Sequence, residues 1–185
     1  MAASILFLGA SRSLAPLLVL LVFVNKCRCS EEPVLYDVED PVADFILCRE
    51  CGADVVDAGY IIDKLSPEAI VLTNRTVFDR EGVDVQFLTN PRGITFATIT
   101  LSTASCFSVP EKWTSRFTWY PGYAWKNCFC RHCGHFLGWM FEPIRTATED
   151  RLLPTEDGFY LLVLNGLLSE KFANSLIVVP KSYRS

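Results

Sequence analysis

Two Cys-x-x-Cys pairs, Cys48/Cys51 and Cys130/Cys133, constrain this chain more than any other feature. Such a pair presents two thiolates from one tight turn. Two turns meeting supply the tetrahedral four-sulfur site that Zn²⁺ accepts at about 2.3 Å per sulfur. Gly52 and Gly134 follow the second cysteine of each pair, where the turn calls for positive φ. The pairs are far apart, with 78 residues between Cys51 and Cys130, whereas compact zinc ribbons leave roughly 15–20. Disulfide bonding is the competing reading. A disulfide closing so short a loop is usually redox-active rather than structural, so two such loops in one domain fit a metal better. Cys106 and Cys128 remain, either as buried free thiols or as one disulfide.

The N-terminus bears on that choice. Leu14–Val24 is an apolar run of eleven residues preceded by a single charge, Arg12. A membrane-spanning helix needs about 20, so the run is read as the core of a signal peptide over 1–29, cut near Cys29–Ser30. The expected mature chain is secreted. It carries 14 basic against 21 acidic side chains, net −7. That balance argues against nucleic acid and against anionic membrane surfaces as partners. Asn74-Arg75-Thr76 is a glycosylation sequon, usable on Asn74 only in the secretory path.

Residues 30–44 are acidic, contain Pro33 and Pro41, and read as an exposed arm. From Phe45 the chain turns to short β-like runs at 54–62, 83–88, 93–105, 136–141, 158–168 and 175–180. Asn90-Pro91-Arg92-Gly93 and Pro121-Gly122 are turn signals, and Ser66-Pro67-Glu68 suits a cap on one short helical turn. No stretch has a convincing 3.6 period. The expectation is a mainly β domain over 45–180 with a tail at 181–185, its strands antiparallel.

The densest segment is "TWYPGYAWKNCFCRHCGHFLGWMF", residues 118–141, with Trp119, Trp125 and Trp139. Tryptophans at this density build either a core or an aromatic cage that grips a small flat or cationic group by its faces. No Ser/His/Asp or Cys/His set has usable spacing for catalysis. The order Trp, Pro-Gly-Tyr-Ala-Trp, Cys-x-x-Cys, Gly-Trp-x-Phe resembles the CULT family, the thalidomide-binding domain of cereblon. With Asn90-Pro91-x-Gly93 and the upstream Cys-x-x-Cys, the resemblance covers about 45–168.

The resemblance implies two antiparallel sheets packed across each other and pinned by one structural zinc on Cys48, Cys51, Cys130 and Cys133. It implies a cage of Trp119, Trp125 and Trp139 closed by Phe141, with Asn90 near the rim. Backbone groups of Phe117 and Trp119 would bond a cyclic imide such as glutarimide. Phe117 stands where animal cereblons have His, and Tyr120 where they have Phe. The implied protein is a secreted, stand-alone binding module, not an enzyme. Its ligand would be a small cyclic imide or a modified peptide terminus, and no ubiquitin-ligase adaptor is expected. Two other readings stand beside it. One is an oxidoreductase resembling zinc-containing methionine sulfoxide reductases, using Cys106 and Cys128. The other is an interaction protein with a vestigial pocket.

Overall fold

The computed structural model describes residues 44–176. The signal peptide over 1–29, the acidic arm up to residue 43, the Cys29–Ser30 cut and the 181–185 tail lie outside the described residues. So does most of the strand expected at 175–180. Its first two residues, Ser175 and Leu176, instead end a short helix. Among the described residues, no helix is long and apolar enough to cross a membrane.

Among the described residues, ten strands and one α-helix follow in chain order. They are β1 (Phe45–Cys48), β2 (Asp54–Asp57), β3 (Ile70–Val77), β4 (Arg80–Thr89), β5 (Thr95–Leu101), β6 (Cys106–Phe107), β7 (Tyr123–Cys130), β8 (Phe136–Pro143), β9 (Phe159–Val163), β10 (Leu167–Ser169) and α1 (Glu170–Ser175). They form two antiparallel sheets, a small one ordered β10-β1-β2 and a large one ordered β3-β4-β5-β9-β8-β7-β6.

Local chemistry accounts for these elements. In β7 the residues Ala124, Lys126, Cys128 and Cys130 are buried, and those between them are half-buried. That is the period of two of a strand with unequal faces. β9 lies between β5 and β8 and is buried along its whole length, so it reads as an unbroken apolar run. The expected strand over 158–168 is broken by a 3-10 turn at Leu164–Gly166. That turn carries the chain from the large sheet to the small one. The run at 54–62 stops likewise at a 3-10 turn, Ala58–Tyr60, where the Asp57 carboxylate accepts the Gly59 N–H at 2.6 Å. Ser66-Pro67-Glu68 forms a single turn and no helix: the Ser66 hydroxyl accepts the Glu68 N–H, and its carbonyl accepts Ala69 N–H.

The interior separates into two clusters. One is aliphatic and joins the sheets, packing Ile46, Val56 and Leu167 of the small sheet against Ile99, Leu137 and Leu162 of the large one. The other is aromatic and belongs to the large sheet and the loop before β7: Trp119, Tyr120, Trp139, Phe141 and Phe159. Behind it Gln86 is buried with every amide atom used. Its oxygen accepts from Ser66 N–H and the Tyr120 hydroxyl, and its nitrogen donates to the Lys64 carbonyl and to Thr100. A buried amide fully satisfied in this way fixes the segments it bridges.

Candidate functional site

The first feature is the sulfur cluster. Cys48 ends β1 and Cys51 lies in the turn to β2, while Cys130 ends β7 and Cys133 lies in the turn to β8. The two turns repeat one geometry. Cys48 N–H donates to the Ala53 carbonyl and Gly52 N–H to the Cys48 carbonyl, both at 2.8 Å. Cys130 N–H and Gly134 N–H make the matching bonds, to His135 and Cys130 carbonyls, at 2.8 and 2.9 Å. Gly52 and Gly134 have φ of 73° and 74°, the left-handed conformation such a turn requires.

The Cys48–Cys133 and Cys51–Cys130 sulfurs are each 3.7 Å apart, and all four lie within 4.8 Å of one another. A tetrahedral zinc with 2.3 Å bonds separates its sulfurs by about 3.8 Å, so the four residues fit one zinc ion. Their protonation without a cation is discordant. Burial pushes the Cys48 thiol up to about 12, with the Cys133 and Cys130 thiols adding to the rise. Burial also resists ionisation of Cys130. Backbone hydrogen bonds at Cys133 and His132, and the Cys133 and Cys51 thiols, nevertheless bring it down to about 7. A divalent cation removes the conflict by stabilising four thiolates together.

The second feature is a cavity of about 360 Å³ lined by Asn90, Pro91, Arg92, Phe117, Trp119, Trp125, Trp139 and Phe141. Sheet register brings most of the wall together. Trp125 on β7 lies directly opposite Phe141 on β8, and Trp139 shares the Phe141 face two residues earlier. Trp119 comes from the loop before β7 and stands perpendicular to Trp139, with ring centroids 4.8 Å apart. Phe96 of β5 braces both rings, edge-on to Trp139 at 5.1 Å and tilted against Trp119 at 6.4 Å. Trp119 is fixed at its nitrogen by the Thr89 carbonyl (3.0 Å), and its own carbonyl accepts from Ser66 (2.6 Å). The Trp125 indole N–H donates to the Arg116 carbonyl at 3.0 Å. The Trp139 indole N–H has no acceptor among the described residues.

Phe117 is the strained member of this wall. Its φ is +58°, a rare conformation for a bulky residue, and its side chain is 61% exposed beneath the Arg116 guanidinium. Its amide N–H and carbonyl, and the N–H of Trp119, bond no other backbone group among the described residues. Asn90 sits in the β4–β5 turn, where its side-chain oxygen accepts from both Arg92 and Ile94 N–H at 3.0 Å. That leaves its amide nitrogen free of protein partners among the described residues.

All six expected lining residues thus surround one cavity. Pro91 and Arg92 join them, having been read only as turn residues. Phe96 and Gln86 support the wall without any sequence pattern that announces them, and Ser66, read only as a cap residue, supports it too. His132 and His135 lie in the second cysteine turn and do not line the cavity. Tyr120 packs on Phe141 and Phe159 at 4.9 and 4.7 Å, and its hydroxyl has Gln86 as partner at 3.2 Å. Burial raises its pKa, which keeps it a neutral donor. Asn74 is exposed in β3, at a break in the β3–β4 register, with φ of 54°.

Cys106 and Cys128 form a disulfide across β6 and β7, with Cα atoms 5.5 Å apart. Both residues have zero exposure. A catalytic thiol pair must meet its substrate, so this burial removes the feature that motivated a sulfoxide-reductase reading. Behind the same hairpin, Glu142 and Lys126 are also buried. The Glu142 carboxylate accepts Thr155 N–H at 2.7 Å and faces the Arg151 guanidinium at 3.6 Å. Lys126 donates to the Arg151 carbonyl at 2.9 Å, and burial lowers its pKa. These groups serve the loop between β8 and β9, not the cavity.

Fold and site together define a class: a mainly β domain, clasped by four cysteines able to hold one zinc, with tryptophans walling a cavity. Comparison with known proteins gives that class relatives. The chain is similar to protein cereblon of Gallus gallus, 34% identical over 79 residues, covering 43% of this chain and 16% of the relative. It is also similar to protein cereblon of Danio rerio, 32% identical over 75 residues, 36% of this chain and 17% of the relative. Against protein cereblon of Xenopus tropicalis it is 36% identical over 56 residues, covering 30% and 12%. The chain thus spans less than a fifth of the length of these relatives, and the likeness supports a cereblon-like domain. No family model matches the chain.

Proposed function

We propose that this domain is a zinc-stabilised binding module that captures a small planar ring, a cyclic imide such as glutarimide, in the tryptophan-walled cavity. One observation carries the reading: Trp119, Trp125, Trp139 and Phe141 converge on a single hollow of about 360 Å³ whose rim holds unspent backbone groups at Phe117 and Trp119. That volume is within the range of small-molecule sites. The indoles supply apolar faces that exclude water. The Phe117 carbonyl can accept an imide N–H, and the Trp119 N–H and Asn90 amide can donate to its carbonyls. Zinc, when bound, supplies no chemistry to the ligand; it holds the β7–β8 hairpin that carries two of the tryptophans.

Extracellular action is part of the proposal. The buried Cys106–Cys128 disulfide suits an oxidising compartment, the N-terminal apolar run suits export, and the exposure of Asn74 is compatible with a glycan. The binding claim is tested by titrating zinc-loaded protein with glutarimide while following tryptophan fluorescence. A saturable change is expected. A flat trace up to millimolar ligand, in folded protein, overturns the reading.

A further inference from the structure

The tryptophan-walled cavity does not end at Phe117 and Asn90. A second hollow of about 250 Å³ shares Asn90, Pro91, Phe117 and Trp119 with it. What the second hollow adds is polar: Glu68, Thr89 and Thr118. The two threonine hydroxyls are already engaged, Thr89 with Thr95 at 2.8 Å and Thr118 with the Tyr120 carbonyl at 3.2 Å. The Glu68 carboxylate has neither a cation nor a hydrogen-bond donor among the described residues.

Glu68 is nonetheless held in place at its backbone. Its N–H donates to the Ser66 hydroxyl at 3.1 Å, and that hydroxyl donates to the Trp119 carbonyl at 2.6 Å. Ser66 N–H is in turn bound by buried Gln86 at 2.7 Å. One serine therefore sets both a cage wall and the backbone that carries the carboxylate. On the other side, Arg92 lines the first cavity and not the second, and it too lacks an ion-pair partner among the described residues. The two hollows thus present opposite charges on either side of the Asn90–Phe117 saddle.

The geometry points to a two-part ligand: a planar ring in the cage bearing a protonated amine that crosses the saddle and lies in the second hollow against Glu68. This rests on the ring-binding reading above and specifies the class, an amine-bearing cyclic imide rather than a bare ring. The carboxylate supplies a charge-assisted acceptor that a neutral substituent cannot use.

The test is calorimetric titration of the zinc-loaded protein with glutarimide, 3-aminoglutarimide and N-acetyl-3-aminoglutarimide. The amine is expected to bind about twofold to fivefold more tightly than its acetylated form, as for an exposed ion pair. That advantage should shrink as salt rises and vanish in Glu68→Gln, whose fold is checked by circular dichroism. Equal affinities overturn the inference. So does an advantage that survives in Glu68→Gln, or a carboxylate-bearing ring that binds better than the amine through Arg92. Glutarimide binding without an amine preference sinks this inference alone. No binding of any of the three sinks the ring-binding reading with it.

Discussion

The two interior clusters meet the same sheet and solve opposite problems. The aliphatic one is filled: its side chains come from both sheets, and its cysteines either join in the Cys106–Cys128 disulfide or stand close enough to hold a metal. The aromatic one is left open. Most of its ring pairs stand edge to face at 4.7–5.1 Å, with Phe141 stacked on Phe159 at 4.9 Å, favourable arrangements for each pair, yet the group as a whole encloses a void. Close-packed interiors avoid such voids because the lining loses contacts. A hollow is retained where rigid supports hold the rings apart. Here those are the hydrogen bonds at Trp119 and Trp125 and the buried Gln86. One end of the molecule supplies stability, and the other uses it.

The sharpest way to break that division is to remove the metal. A structural zinc is worth on the order of 10 kcal/mol in small domains. Chelation, or Cys130→Ser, is therefore expected to unfold the zinc end and abolish the cavity with it, read by circular dichroism and thiol titration. Purified protein that is metal-free and folded, with the four sulfurs oxidised in pairs, would contradict this. A smaller loss comes from Cys106→Ala with Cys128→Ala. Opening a loop of 22 residues costs about 3 kcal/mol, seen as a lower denaturation midpoint with one zinc per chain retained. The open end is probed by Trp125→Ala. Trp125 is only half-buried, so glutarimide affinity should fall at least about tenfold while the melting temperature barely moves. If stability falls instead and affinity holds, the ring is core and not wall. The smallest effect is expected from Phe117→His, which adds a side-chain donor at the rim. Affinity should rise about threefold, measured by the same titration.

These contrasts also explain what could be read from residues alone. The four clustered cysteines are visible because a Cys-x-x-Cys turn is local: spacing and a following glycine specify it. β4, β5, β8 and β9 are visible because apolar alternation or apolar runs persist along them. β3 is not, since an edge strand with nearly every residue exposed carries no burial pattern. β7 is hidden by composition: its buried face holds Ala124, Lys126 and two cysteines. The Cys106–Cys128 pairing depends on the β6–β7 register, which residue spacing does not encode. The supporting roles of Gln86 and Ser66 are not legible, because both act through contacts with segments 14 to 53 residues away. Phe117 is expected at the rim from the resemblance, but its left-handed backbone is not legible, because that conformation at a bulky residue is imposed by its surroundings and by no local preference.

Cys128 and Cys130 point to the same side of β7, two residues apart. A strand that slid by one repeat of its pleat would offer the wrong sulfur to the knuckle while burying an equally acceptable surface. The bridge to Cys106 forbids that slip by taking Cys128 out of competition. It therefore works as an index pin for the hairpin, and Trp125 owes its place over Phe141 to the same pin.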